Sequence, residues 1–208
     1  MHPIVRLTRV EDAAIEPVSL ASMKGWLKVE HAADDDLIAE LITAARLVCE
    51  DKVRRSFITT TWRYSIDRTA WSHHHAGEYL IGGQRFGWDR PAIQLPVAPV
   101  LAISDFKYVR YDGTLEDVDL SEIEVLAGTP GYFRSPVSDW PFMSLPTRTG
   151  LRATLTAGYG PTPGDVPRNL VLAIRMLTAH FYEHRSSQAE MPDAVANLLG
   201  PARWDGYA

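Results

Sequence analysis

The stretch Gly158-Tyr159-Gly160, followed by Asp165-Val166-Pro167 and an unbroken run to Arg185, decides how the rest of the chain is read. Pro167 suits a first helical turn, where its missing N–H removes no intrahelical bond, and Asp165 just ahead can accept orphan amide hydrogens. Leu170, Ile174, Leu177 and Phe181 then recur at steps of four, three and four, and Val171 and Tyr182 widen the face they share. A helix over 167–185 would be about 28 Å long, enough to cross a small domain. It is the best-signalled buried helix of the chain, and the other pieces need it to pack against.

Upstream, residues 1–17 are polar and mixed and read as a loosely held arm ending at Pro17. Ser19 can cap a short helix over Leu20–Lys28, with Leu20, Met23 and Leu27 on one side. Asp34-Asp35-Asp36 opens a second helix. Three aspartates could bind a divalent ion, but no calcium-loop glycine or closing acid follows, so they read as an N-cap with favourable charge at the positive helix end. Leu37, Ile38, Leu41, Ile42, Ala45, Val48, Cys49 and Val53 follow at helical spacing to about Arg55, with Glu40, Arg46, Glu50 and Arg54 as a charged back.

From Phe57 the pattern changes. Thr60, Trp62, Tyr64 and Ile66 alternate with Thr61, Arg63, Ser65 and Asp67, the period of a half-buried strand. Residues 57–167 hold 11 of the 14 glycines and 10 of the 14 prolines, which marks short strands and long connections rather than more helix. Ile93–Leu95, between Pro91 and Pro96, reads as an edge strand. Phe106–Tyr111 and Leu115–Val118 form a hairpin around Asp112-Gly113, a pair that accepts the positive φ of a tight turn. Ile123–Leu126, Tyr132-Phe133 and Leu151–Ala157 are further strands, the last with Leu151, Ala153, Leu155 and Ala157 on one face.

The expected architecture is α+β: a helical part formed by 1–56 and 166–191, a β-rich part inserted at 57–165, and an extended segment at 192–208. Ser186–Glu190 reads as a polar link. Pro192 can open a helical turn through Val195, Leu198 and Leu199, stopped by Gly200-Pro201. A Trp and a Tyr then fall within the last five residues, where termini are normally polar.

The 208 residues carry a net charge of −5, and no segment has a basic excess, which argues against a dedicated nucleic-acid binder. The N-terminus lacks the apolar run of a signal peptide, no span of 18 apolar residues occurs, and the chain reads as cytosolic. Cys49 is the only cysteine; set in an apolar helical pattern, it reads as a buried structural thiol.

Chemistry finds little support. His180-Phe181-Tyr182-Glu183-His184 matches the H-x-x-E-H string of inverted zinc proteases, in which two histidines hold zinc and Glu183 would be general base. Phe181 and Tyr182 lie near the core face, however, and only Glu190, Asp193 and Asp205 follow as a third ligand. His73-His74-His75 reads as a solvated loop. There is no Walker loop, nucleophile elbow, C-x-x-C or Rossmann glycine pattern, and the prolines at 161 and 163 remove amides that a phosphate cradle after Gly158 would use. Trp62, Trp71, Trp88 and Trp140 could line a small-molecule site in the β-rich part, but packing explains such aromatics more simply. No catalytic residue, metal ligand or cofactor is expected.

The order of motifs resembles the head–tail connector (adaptor) proteins of long-tailed phages and of phage-derived gene transfer agents. The matching residues are Val18-Ser19-Leu20 with Leu27-Lys28-Val29, Asp34–Leu37 with Ala44-Ala45-Arg46, and Thr61-Trp62-Arg63. Ile93–Pro99, Tyr111-Asp112-Gly113, Thr156–Gly160, Val166-Pro167, His180–Arg185 and Leu198–Arg203 continue the match over nearly the whole chain. Residues 68–90 and 128–148 depart from it.

The resemblance implies a structural subunit of a twelve-membered ring under the portal, joining the DNA-filled head to the tail and continuing the DNA channel. The implied partners are other copies of this chain, the portal protein and a downstream tail-stopper or tail-terminator protein. DNA passes without specific binding, and no membrane is involved. The implied location is the bacterial cytoplasm during assembly, then the neck of the released particle. The C-terminal segment docks onto the portal in that family, which here points to Leu198, Leu199, Pro201, Arg203, Trp204 and Tyr207. Burying Leu198, Leu199, Trp204 and Tyr207 would contribute about 6–12 kcal/mol gross, before the cost of ordering the segment. One tail would bind modestly and a ring of them durably. The alternative is a zinc-dependent hydrolase using His180, Glu183 and His184.

Overall fold

The computed structural model describes residues 4–67, 79–81, 84–86, 92–110, 112–129, 131–134, 148–184 and 191–203. The chain is α+β and divides into two units. One is helical and comprises Ala13–Thr59 with the described part of Gly158–Asp205; the other comprises the described parts of Met1–Asp12 and Thr60–Ala157.

The helical unit contains α1 (Leu20–Leu27), α2 (Asp35–Val53), α3 (Arg168–Glu183) and α4 (Asp193–Leu199). As the sequence suggests, the Ser19 hydroxyl caps α1 by accepting from the Ser22 amide at 3.3 Å. Asp34 stands at the N-cap of α2 without capping it; its carboxylate instead accepts the Tyr182 hydroxyl from α3. Asp35 and Asp36 supply the favourable first-turn charge, and Asp35 also pairs with Lys24 at 2.6 Å. Asp165 likewise serves a different end from the one expected. Its carboxylate accepts from the Thr162 amide and hydroxyl at 2.8 and 2.7 Å, closing the short 3-10 turn Pro163–Asp165 ahead of α3. These Thr162 bonds hold its pKa below the ordinary carboxylate value.

The core of this unit is built on the faces read from the sequence. Ile38, Ile42, Ala45, Cys49 and Val53 of α2 meet Leu170, Ala173, Ile174 and Leu177 of α3, all buried. The charged back of α2 is corrected: Glu40 and Arg54 face solvent, but Arg46 and Glu50 are 1% and 4% exposed. Arg46 can be buried because Glu16 and Glu50 meet its guanidinium at 2.7 and 3.0 Å, while Glu50 also accepts the Phe57 amide at 2.7 Å.

After α2, residues 57–59 run beside 159–160 and bridge to them in parallel at Ile58 and Gly160. Tyr159 donates its amide to the Phe57 carbonyl at 3.2 Å, and the Thr59 amide bonds to the Gly160 carbonyl at 2.9 Å. Gly158 has φ of +147°, and a Cβ there would stand 2.5 Å from Thr59 Cα, so only glycine admits this approach.

The second unit holds a five-stranded antiparallel sheet in the order β1-β2-β10-β6-β7, formed by Ile4–Arg9, Thr60–Asp67, Arg148–Ala157, Val100–Arg110 and Leu115–Asp117. The stretch expected as a loose arm therefore contributes an edge strand, with Val5 opposite Ile66 and Leu7 opposite Tyr64. Its alternation of apolar and polar residues is the physical reason. The Asp112-Gly113 turn forms as read: Gly113 has φ of +84°, and Asp112 accepts the Thr114 amide at 3.0 Å. A three-stranded sheet, β5-β9-β8 (Ala92–Gln94, Tyr132–Arg134, Glu124–Leu126), places Phe133 edge-on against Phe106 and Tyr64, at 5.7 and 6.2 Å between ring centres. As expected, β5 is an edge strand of that sheet. A further hairpin, β3-β4 (Tyr79–Ile81 and Gln84–Phe86), lies inside the stretch left without a role in the sequence reading.

Candidate functional site

The C-terminal segment is the site named from sequence. Helix α4 and the 3-10 turn Gly200–Ala202 that follows it place Val195, Leu198, Leu199 and Ala202 at steps of three, one and three, and their own subunit absorbs these apolar residues. Val195 and Leu199 are 0% and 1% exposed, Ala202 is buried with them, and Leu198 is half-buried against the same core. Side-chain hydrogen bonds fix this placement. Asn169 donates its side-chain amide to the Leu198 carbonyl at 3.2 Å, and Arg55 Nε donates to the Ala202 carbonyl while its Nη1 reaches the Tyr159 hydroxyl at 3.2 Å.

The six residues expected to dock thus fall into three groups. Leu199 is enclosed in its own subunit, and Leu198 is half-buried against the same core. Pro201 and Arg203 are exposed at the end of the 3-10 turn Gly200–Ala202. Trp204 and Tyr207 lie outside the described residues. Arg55 is the residue that sequence reasoning missed, although a basic residue just past a helix is a usual partner for stray carbonyls.

The histidine string is not assembled as a zinc site. The His180 and His184 rings are tilted by 34° with centres 4.5 Å apart, His184 Nδ1 sits 3.1 Å from the His180 carbonyl, and the buried His180 Nε2 has no partner among the described residues. Among those residues no group of three His, Cys, Asp or Glu side chains could hold a metal. Cys49 is fully buried, and burial, then the Glu50 charge, pushes its thiol up to about 12, opposite to the shift a nucleophile needs. Trp62 is half-buried in β2 with the Arg9 guanidinium 4.8 Å from its ring centre; Trp71, Trp88, Trp140 and His73–His75 lie outside the described residues. No helix among the described residues is long and apolar enough to cross a membrane.

The outer surface of the helical unit carries a second feature. Pro17, Pro163, Val171 and Leu172 line an open groove of about 510 Å³ that Arg168 and Arg175 flank. Arg175 is steadied by the Ser22 hydroxyl at 2.9 Å and lies 5.9 Å from the ring centre of Trp26, which is 46% exposed. On α2, Leu37, Leu41, Ala44 and Val48 form a second stripe turned away from the core, with Val48 41% exposed.

Comparison with known proteins finds the fold. No family model and no curated protein matches the sequence. Among solved structures, the chain is similar to a chain in the neck of an empty gene transfer agent particle, at 21% identity and a TM-score of 0.74, covering 95% of both chains. It is similar to a chain in the virion of a native gene transfer agent particle, at 21% identity, a TM-score of 0.72, and 97% and 99% coverage. A third likeness is to a chain in the neck of a native particle computed with C12 symmetry, at 22% identity, a TM-score of 0.67, and 95% and 94% coverage. The likeness is one of fold and extends from end to end.

Proposed function

We propose that this chain is a structural subunit of the neck of a phage-like particle, a head–tail connector without catalytic activity. The observation that carries this reading is the end-to-end match of both units to neck components, including one in a particle neck of C12 symmetry. The subunits form a ring, twelve in number, beneath the portal. The ring continues the channel through which DNA leaves the head and hands on to a tail-stopper or tail-terminator protein. A net charge of −5 suits a conduit, since a basic lining would hold DNA through its phosphates.

The end of the chain from Pro201 onward, with Arg203, Trp204 and Tyr207, docks onto the portal. The stapling of Ala202 by Arg55 gives that end a fixed point of departure, which lowers the ordering cost of binding. The test is co-sedimentation with portal assemblies: the full chain binds, and a chain ending at Ala202 does not. Equal binding by both would remove the docking role.

A further inference from the structure

We propose that neighbouring copies join through two different surfaces of the helical unit: the outward stripe of α2 on one copy fills the arginine-flanked groove beside α1 and α3 on the next. The inference rests on the ring reading above, because a closed ring of copies related by rotation needs two unlike patches that fit each other.

The two patches match in shape and charge. The stripe is ridge-like: Leu37, Leu41, Ala44 and Val48 follow at steps of four, three and four along one face of α2. Exposed Glu40 and Asp51 run along one side of it, with Lys52 on the other near its C-terminal end. The groove is lined by apolar Pro17, Val171 and Leu172 together with Arg168 and Arg175. Asp165, nearby, is occupied by Thr162.

Trp26 supplies the anchor. An exposed tryptophan with an arginine already against its ring is the residue type that dominates interface energetics. Ridge on ridge would set Glu40 and Asp51 against their own copies, and groove on groove would do the same to Arg168. Ridge in groove pairs acid with base instead.

The test uses assembled particles carrying Val48→Cys and Leu172→Cys in one chain, treated with a short bis-maleimide; native Cys49 is buried and does not compete. The double variant gives a ladder of covalent multimers under denaturing electrophoresis, and either single variant gives none. Glu40→Arg or Arg168→Glu in the double-cysteine chain lowers the ladder about tenfold, and the two together restore it, as one ion pair of about 1.4 kcal/mol requires. Double-variant particles that contain the protein but yield no ladder would overturn this interface, as would ladders from a single-cysteine chain. Wild-type chain missing from purified particles would overturn the neck reading itself.

Discussion

Arg46 and Glu50, one helical turn apart on α2, form an ion pair of 3.0 Å with both side chains withdrawn from solvent. Burial alone would lower the Arg46 pKa, but the hydrogen bonds and charges of Glu16 and Glu50 outweigh it and hold the guanidinium above its ordinary value. Glu50 then ties the end of α2 to the following segment through the Phe57 amide. Removing one partner leaves a buried charge uncompensated. Arg46→Ala is expected to lose about 3–5 kcal/mol, measured by urea unfolding. A loss below about 1 kcal/mol would mean that water reaches Glu50.

The approach of Gly158 to Thr59 makes a second prediction. Gly158→Ala must displace backbone and is expected to cost more than about 2 kcal/mol, beyond the usual effect of removing a positive-φ glycine. Gly113→Ala, also at positive φ but with open space around it, is expected to cost about 1 kcal/mol. Thermal melts of the two variants give the order directly.

Cys49 sets an alkaline limit. Its thiol is raised from 9.0 to about 12, so the folded state keeps the proton that the unfolded state releases. That contribution is complete below pH 9 and is lost as pH climbs from 9 toward 12. Cys49→Ala should therefore show a shallower fall in stability over that range than the parent chain. At pH 8 the native thiol should resist a disulfide reagent and react only after unfolding.

The position of the C-terminal truncation decides what is lost. Ending the chain at Ala202 removes no described core side chain and should leave the melting temperature within about 2 °C. Ending it at Met191 removes Val195 and Leu199 and should lower stability by about 3–6 kcal/mol, from two fully buried side chains. Equal melting by the two truncations would show that α4 contributes nothing to the core.

Much of this architecture was legible because it rests on periodicity. The 170–181 spacing, the alternation at 60–67 and 151–157, and Asp112-Gly113 each name their element and buried face. What escaped depends on contacts between distant residues. The alternation in Ile4–Arg9 is too short to stand out, and what makes it an edge strand is its pairing with β2, more than fifty residues away. Arg46 and Glu50 look like a solvated back until Glu16 arrives from another segment. The helix stops were read within two residues, although Lys28 and Arg54 take the left-handed conformation that glycine usually signals. The helical turn opened by Pro192 formed as read, but its apolar residues belong to their own subunit's core as far as Ala202.

The central claim, that this chain is a structural neck subunit, is tested most directly by imaging phage-like particles from cells with and without it. With the chain present, density fitting this fold should form a ring at the head–tail junction; without it, filled heads should accumulate free of tails. Particles of normal form, with joined tails and no such density in either sample, would contradict the account.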